Sequence, residues 1–296
     1  MRERVAGYPT IRPDSQLPWS TVGTAIDYRL RFYFRASETP LGSTFGHILL
    51  AGGVVIDADT RVVESGLLAG AGAAMLVSAE VLKRTLIDDF FSALQQSLVR
   101  LSPFRRRLDA PQEKELCRYC FVLALFEEVR RAGLWAGSPL LELNPRSKLP
   151  DLLKLGSAAS IDDLCRMSWA FCDTQQQLIR GDAILNPVFE GSADIGGADA
   201  DLIVDHRVIE VKTALDPSRI KKDSWPWQLL GYALLDYNEA FGITDIGLYL
   251  ARQSLLVTWP LDEFAEKLAG SSVSLPEIRD AFRMLLVQQR TRFSPA

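Results

Sequence analysis

The residues of this chain whose types and spacing could support chemistry lie in the segment GGADADLIVDHRVIEVKT, residues 196–213. Two acidic residues, Asp201 and Glu210, stand nine positions apart (210 − 201), and Lys212 follows the second acid by two. Carboxylates can hold a metal ion, and a metal ion beside a lysine can activate water. This set of residues is therefore suited to hydrolysis.

The pattern of the segment predicts a β-hairpin. Ala200–Val204 and Val208–Thr213 are rich in Val and Ile, which favours strands. Asp205-His206 between them is typical of a two-residue hairpin turn. With this turn, Val204 pairs with Arg207.

The same register brings the chemical residues together. Asp201 lies opposite Glu210, and Asp199 lies opposite Lys212. Because side chains alternate between the two faces of a strand, all of them project from one face. The other face is apolar and suits a core: it carries Leu202, Val204, Ile209 and Val211. A slip of one residue would destroy this separation, which supports the register.

The paired carboxylates indicate a metal site. Two carboxylates about 5 Å apart at Cβ on adjacent strands repel each other unless a cation neutralises them. Oxygen ligands of this kind suit Mg²⁺ or Mn²⁺. Lys212 can orient the attacking water or stabilise charge on a phosphorus-bound oxygen. The set predicts phosphodiester hydrolysis.

In the types and spacing of these residues, the chain resembles the PD-(D/E)xK nuclease superfamily. Asp201 followed by Glu210-Val211-Lys212 is similar to its acid and (D/E)xK motif, and Gln228 with Tyr232 is similar to the QxxxY motif of the RecB-like branch. Gln and Tyr at i and i+4 share one helical face. Gly23 to Asp27 is similar to the GxxxH motif of that branch, with Asp in place of His.

The resemblance implies a function and a set of site residues. The chain would be a Mg²⁺- or Mn²⁺-dependent deoxyribonuclease, with RNA as a further candidate substrate. The implied catalytic residues are Asp201, Glu210, Lys212, Gln228 and Tyr232. The implied metal site consists of Asp201, Glu210, Val211 and Asp27, where a carboxylate would replace the usual histidine.

We expect an α/β fold with a restriction-endonuclease-like core, a mixed central sheet flanked by helices, and a large helical N-terminal portion. The core would span residues 186–296 and the mainly helical region residues 1–185, with the helix at 23–35 packed on the core. Further helices are predicted at about 67–101, 111–132, 160–179, 225–241, 261–268 and 276–289. Further strands are predicted at 246–251 and 255–259, and a first strand at VFEG, with Glu190 near its end as an edge-strand charge or an auxiliary ligand.

Each of these residues has a purely structural alternative. The hairpin face could be a solvated surface with a cross-strand ion pair. Gln228 and Tyr232 could be boundary residues of an amphipathic helix. Asp27 could serve only the helix dipole. Asp199 could help to bind a second metal ion, form a hydrogen bond with the backbone, or simply be exposed to solvent.

The cysteines, several basic residues and two tryptophans also have both a functional and a structural interpretation. The cysteines at 117, 120, 165 and 172 could form a Cys₄ zinc site, although buried free thiols are commoner. Basic residues that could contact phosphate are Arg105, Arg106, Arg107, Arg130, Arg131, Arg219, Lys221 and Lys222. Trp225 and Trp227 could stack on bases or pack the helix start onto the core.

The composition limits the class of protein and the cellular compartment that we expect. The 296 residues are 48% hydrophobic and 24% charged with net charge −4, as expected for a soluble globular protein that lacks a generally basic coat. No apolar stretch reaches the length of a membrane span, and four cysteines without a signal peptide suggest a reducing cytoplasm. A protein partner or self-association through the helical region is also expected. Alternative functions are a non-catalytic nucleic-acid-binding or assembly subunit of a larger DNA-processing or phage-defence complex, and hydrolysis of small phosphorylated molecules.

Overall fold

A computed structural model describes residues 8–34, 84–217 and 224–293. The chain divides into two units: a helical unit, Ile11–Arg180, and a sheet unit, Gly181–Ala296 together with the residues up to Thr10. The boundary lies five residues before the predicted one (185 − 180). The reason is that Ala183–Leu185, which lies in the region predicted to be mainly helical, forms the first strand of the sheet.

The helical unit is built from six α-helices within the described residues: α1 (Trp19–Arg31), α2 (Arg84–Leu101), α3 (Ala110–Ala132), α4 (Leu149–Leu153), α5 (Ala158–Thr174) and α6 (Gln176–Arg180). Helix α1 packs against α3 and α5, and its predicted packing on the sheet core stays a prediction. The part of the second predicted helix before Arg84 lies outside the described residues.

The helical unit differs from the prediction at two places for local reasons. The stretch between the helices predicted at 111–132 and 160–179 contains a 3₁₀ helix, Pro139–Glu142, and α4, each with a proline in its first turn, where the missing N–H has no cost. Helix α5 is capped by Ser157, which accepts a hydrogen bond from the amide of Ser160 at 3.1 Å, rather than beginning at Ser160.

The sheet unit contains one five-stranded mixed sheet in the order β1-β2-β3-β4-β5. Its elements are β1 (Ala183–Leu185), β2 (Leu202–Val204), β3 (Arg207–Lys212), α7 (Trp225–Leu235), β4 (Asp245–Leu250), β5 (Leu255–Pro260), α8 (Leu261–Ala269) and α9 (Leu275–Phe293). Among the described strands, only β3 and β4 pair in parallel. Parallel neighbours need a crossover, and α7 supplies it.

Two predictions in the sheet unit are corrected. The VFEG strand does not form, because Glu190–Ile195 is a 3₁₀ helix in which the hydroxyl of Ser192 accepts from the amide of Phe189 at 3.0 Å. Helix α7 ends at Leu235 instead of continuing to Phe241. The Asp236 carboxylate accepts from the amides of Ala240 and Phe241 and turns the chain there.

The predicted hairpin register is confirmed. Val204 pairs with Arg207 and Leu202 with Ile209, and the pairing of Asp201 with Glu210, one residue beyond this ladder, stays a prediction. Asp205 and His206 both have positive φ, 48° and 62°, as a type I′ turn requires. The carboxylate of Asp205 also accepts from the amide of Asp182 at 2.9 Å, tying the turn to the start of β1.

Replacing Asp205 with alanine should lower the free energy of unfolding by about 1–2 kcal/mol, because alanine tolerates positive φ poorly and cannot accept the Asp182 hydrogen bond. Denaturant titration of the two proteins measures the change. Asp205→Asn is the matched control, since asparagine keeps both an acceptor and tolerance of this backbone. Equal stability of the alanine variant and wild type would contradict the assigned role of the turn.

Within the described ranges, no helix is long and apolar enough to cross a membrane.

Candidate functional site

Asp201 is held against β3 by its own side chain. It stands one residue before β2, where the ladder with β3 has ended, and its Oδ2 accepts a hydrogen bond from the amide of Val211 at 2.6 Å. This bond fixes the half-buried carboxylate beside the strand that carries Glu210. The two acids of the predicted metal pair are thus brought to adjacent positions of one hairpin.

Glu210 and Lys212 are two residues apart on β3 and therefore share a face. The ammonium of Lys212 donates to Oε1 of Glu210 at 2.5 Å. The Glu210 side chain is 7% exposed and that of Lys212 is 29% exposed. A buried acid thus lies behind a lysine that reaches solvent.

Helix α7 extends this contact into a chain of polar groups. Nζ of Lys212 lies 3.4 Å from Oε1 of Gln228, at the long end for a hydrogen bond. The Gln228 amide in turn donates to the Tyr232 hydroxyl at 2.8 Å. The structure therefore brings together Glu210, Lys212, Gln228 and Tyr232.

Tyr232 remains a neutral phenol at physiological pH. Burial, and then the negative charge of Glu210, raise its pKa well above the ordinary value. Asp201 and Asp199 act in the same direction, and the hydrogen bond from Gln228 opposes them. Its ring is fixed by stacking on Phe189 at 5.6 Å between centroids. Tyr232 is thus suited to hydrogen bonding rather than to proton abstraction.

The other acidic residues that the sequence indicated as candidate ligands form different contacts in the structure. Asp199 forms an isolated bridge with Val188 rather than a ladder pair with Lys212, because β2 begins only at Leu202. Glu190 lies at the start of a 3₁₀ helix, where it accepts from Asn238. Asp27 belongs to α1 of the helical unit.

Asp27 is engaged within its own helix. Its carboxylate accepts from Nε of Arg31 at 3.2 Å and from the Nη2 of the same residue. The arginine lies four residues on, at the spacing of a helical ion pair. A role for Asp27 as a metal ligand stays a prediction.

The donor chemistry of the hairpin fits a hard cation with few protein ligands. Among the residues that the structure describes, no three His, Cys, Asp or Glu side chains are grouped so as to hold a metal ion. Asp201 and Glu210 supply two carboxylates, and Mg²⁺ is commonly bound by one or two carboxylates together with water and substrate phosphate. Ligation by the carbonyl of Val211 stays a prediction.

The four cysteines are free and buried. The Sγ atoms of Cys117 and Cys165 are 3.7 Å apart, and the Cys117 thiol donates to Glu113. Burial raises the pKa of Cys117, Cys120 and Cys172, which disfavours the thiolate that a metal would require.

The arginines in the loop before α3 are occupied by the helical unit itself. Arg105 donates to the carbonyl oxygens of Ile179 and Arg180, and Arg106 donates to that of Leu101 at 2.6 Å. Arg107 pairs with Asp173 at 3.2 Å. Arg131 pairs with Glu127, whereas Arg219, Lys221, Lys222 and the Arg130 side chain lie outside the described residues.

The two tryptophans of α7 have different environments. Trp225 is 8% exposed and packs with Trp259 and Phe264, as expected of a residue that anchors the helix. Trp227 is 56% exposed, so of the two alternatives given for it, packing on the core does not apply.

Two residues that the motif pattern does not include hold the chain directly after Lys212. Nε of Arg252 donates to the carbonyl of Thr213 at 2.8 Å, and the Gln253 amide reaches that of Leu215 at 3.2 Å. Both side chains are buried. The signal was present, because this Arg-Gln pair lies between two apolar strands where buried polar residues need partners.

No protein-family model, no curated protein and no solved structure matches this chain. Its function is therefore inferred from the site itself.

Proposed function

We propose that the chain is a metal-dependent nuclease that hydrolyses phosphodiester bonds, with DNA as its substrate and a restriction-endonuclease-like sheet unit. The observation that carries this proposal is the confirmed hairpin register with the side-chain contacts around it. Asp201 accepts a hydrogen bond from the amide of Val211, next to Glu210 on β3, and Lys212 contacts both Glu210 and the Gln228–Tyr232 pair.

The residues have complementary roles in this reaction. Asp201 and Glu210 would hold Mg²⁺ or Mn²⁺, which when bound supplies Lewis-acid activation of the phosphate and of water. Water attacks phosphorus and loses a proton, the P–O bond to the leaving group breaks, and the leaving oxygen gains a proton. Lys212 orients the water and stabilises charge on the phosphorus-bound oxygens. Gln228 and neutral Tyr232 hydrogen-bond the substrate strand.

The topology of the sheet unit supports the fold that the resemblance implies. An antiparallel hairpin, β2–β3, continues into a parallel pair, β3–β4, through α7, and helices accompany the sheet. This arrangement brings Gln228 of the crossover helix to Lys212 of β3. A mixed sheet flanked by helices is the expected architecture.

One observation favours a second function. Within the described residues no third ligating side chain joins Asp201 and Glu210, and the Glu210 carboxylate already has a cation beside it in Lys212. Both features suit a non-catalytic nucleic-acid-binding or assembly subunit on the same fold. Such a protein would bind the polynucleotide and leave it intact.

Cleavage assays with single- and double-stranded DNA and RNA test the proposal. We expect DNA to be cut with Mg²⁺ or Mn²⁺, and cutting to stop with EDTA and resume when metal is restored. Asp201→Asn should abolish cleavage and weaken Mn²⁺ binding measured by calorimetry. Asp262→Asn, an exposed acid in the first turn of α8, is the matched control.

The outcomes separate the two functions. Cleavage that persists in EDTA would overturn the metal-dependent mechanism. Binding of DNA without cleavage at any metal concentration would support the non-catalytic subunit.

A further inference from the structure

Trp227 stands at the edge of the candidate site with its side chain largely in solvent. It is 56% exposed and immediately precedes Gln228, which contacts Lys212. Its neighbour Trp225 already anchors the start of α7 in the core. The exposed indole is therefore not needed to fix the helix, and a flat apolar surface remains available beside the polar residues.

Gly231 leaves the adjacent helix surface bare. Glycine weakens a helix interior relative to alanine, and Gly231 is not among the glycines with positive φ. Apart from its two chain neighbours and the backbone of its own helix, no atom of the described residues lies within 4 Å of the place where a Cβ would stand. Neither backbone conformation nor packing within the described part of the chain requires glycine here, whereas close approach of a ligand to the backbone would.

Helical geometry puts these two positions next to the candidate site. Residues advance by about 100° each around a helix. Measured from Trp227 around the helix axis, Gly231 therefore lies at about 40°, Gln228 at about 100° and Tyr232 at about 140°, all in the same direction. Gly231 is therefore between the exposed indole and the polar pair. Residues four apart on a helix are about 5–6 Å apart at Cβ, and a planar ring on Gly231 would lie against Trp227.

We infer that Trp227 and Gly231 form a stacking surface for an unpaired base of a single-stranded nucleic acid whose phosphate lies at Lys212. This inference rests on the proposed nuclease function and specifies its substrate. A base inside a duplex has both faces covered by its neighbours, whereas an unpaired base can stack on an aromatic side chain, in a manner that tolerates any sequence. The partly exposed ammonium of Lys212 supplies a positive charge for the adjoining phosphate.

Binding in EDTA tests the stacking surface without cleavage. The probe is a short fluorescent single-stranded DNA, compared with a closed circular duplex and with an abasic strand of equal length and charge. Trp227→Ala should weaken single-strand affinity at least about fivefold, the lower end of measured base–aromatic stacking. Trp227→Phe should retain most of the affinity, and Gly231→Leu should weaken it by covering the surface.

The controls isolate stacking from charge and from folding. Trp135→Ala removes a tryptophan of similar exposure, 52%, from the helical unit and should leave affinity unchanged. The abasic strand should bind the wild type weakly. Its affinity for Trp227→Ala should equal its affinity for the wild type. Thermal melting should be the same for Trp227→Ala and wild type because the side chain is exposed.

The failures of the two proposals are distinguishable. If the wild type cleaves DNA but Trp227→Ala binds the single strand equally well, the stacking surface is refuted and the nuclease stands. If the wild type binds single strands through Trp227 but cleaves nothing, the nuclease is refuted and the stacking surface stands. Stronger binding to the closed duplex than to the single strand would refute the surface, whatever the activity.

Discussion

Replacing Lys212 with alanine is expected to lower the rate of DNA cleavage by about a hundredfold to a thousandfold, the usual cost of removing one pre-organised donor at a developing negative charge. In the structure Lys212 is the cation that connects the acid of β3 to the polar residues of α7. Its loss removes the positive charge without removing either carboxylate. Mn²⁺ binding at Asp201 and Glu210 should therefore persist while cleavage is lost.

The design must separate chemistry from folding, because Glu210 is buried and loses its ammonium partner in this variant. Lys212→Gln keeps a hydrogen-bond donor for Glu210 and should fold while remaining inactive. Lys267→Ala, an exposed lysine in the last turn of α8, controls for the loss of one positive charge in the sheet unit. Wild-type cleavage rates in Lys212→Ala would refute the mechanism.

The hairpin could be predicted from sequence because its determinants are local. The Val- and Ile-rich runs predict two strands, and Asp205-His206 tolerates the positive φ that a type I′ turn needs. The two faces are less distinct than the sequence suggests, because Ile203 and Val208 share the face of Glu210 and are buried in the core. The two-residue turn therefore determines the register, which the structure has.

The start of the sheet could not be predicted because side-chain hydrogen bonds override β propensity there. Ser192 accepts from the amide of Phe189 and donates to the carbonyl of Ala198, which closes a 3₁₀ helix where VFEG suggested a strand. The strand that does form, β1, has only three residues. A run that short carries no measurable alternation.

The residues of the candidate site that share one strand could be predicted to lie together, whereas contacts between different elements could not. Alternation alone puts Glu210 and Lys212 on one face, but the contact of Lys212 with Gln228 depends on how the β3–α7–β4 crossover lies on the sheet. Trp225 and Trp227 differ by about 200° around α7, so one helix face cannot bury both. Which of them packs is decided by Trp259 and Phe264, far along the chain.

Glu113→Ala is expected to destabilise the helical unit by about 3–5 kcal/mol, the usual cost of breaking a buried ion pair. Arg29 and Glu113 are 0% exposed and form two hydrogen bonds, at 2.7 and 2.8 Å. Burial by itself lowers the pKa of Arg29, but the charge of Glu113 raises it, and the net pKa is above the ordinary value. Arginine therefore stays charged and would be left buried without its carboxylate, above the ring of Tyr33.

A matched control lies on the same helix. Glu115 pairs with Arg100 near the surface, where both side chains reach solvent, so Glu115→Ala should change the free energy of unfolding far less because water replaces the partner. Arg29→Met combined with Glu113→Leu removes both charges and should recover much of the stability lost in the single variant, as apolar replacements of buried pairs do. Denaturant unfolding followed by circular dichroism measures all three variants. Equal losses for Glu113→Ala and Glu115→Ala would show that burial of the Arg29 charge does not control the stability of the helical unit.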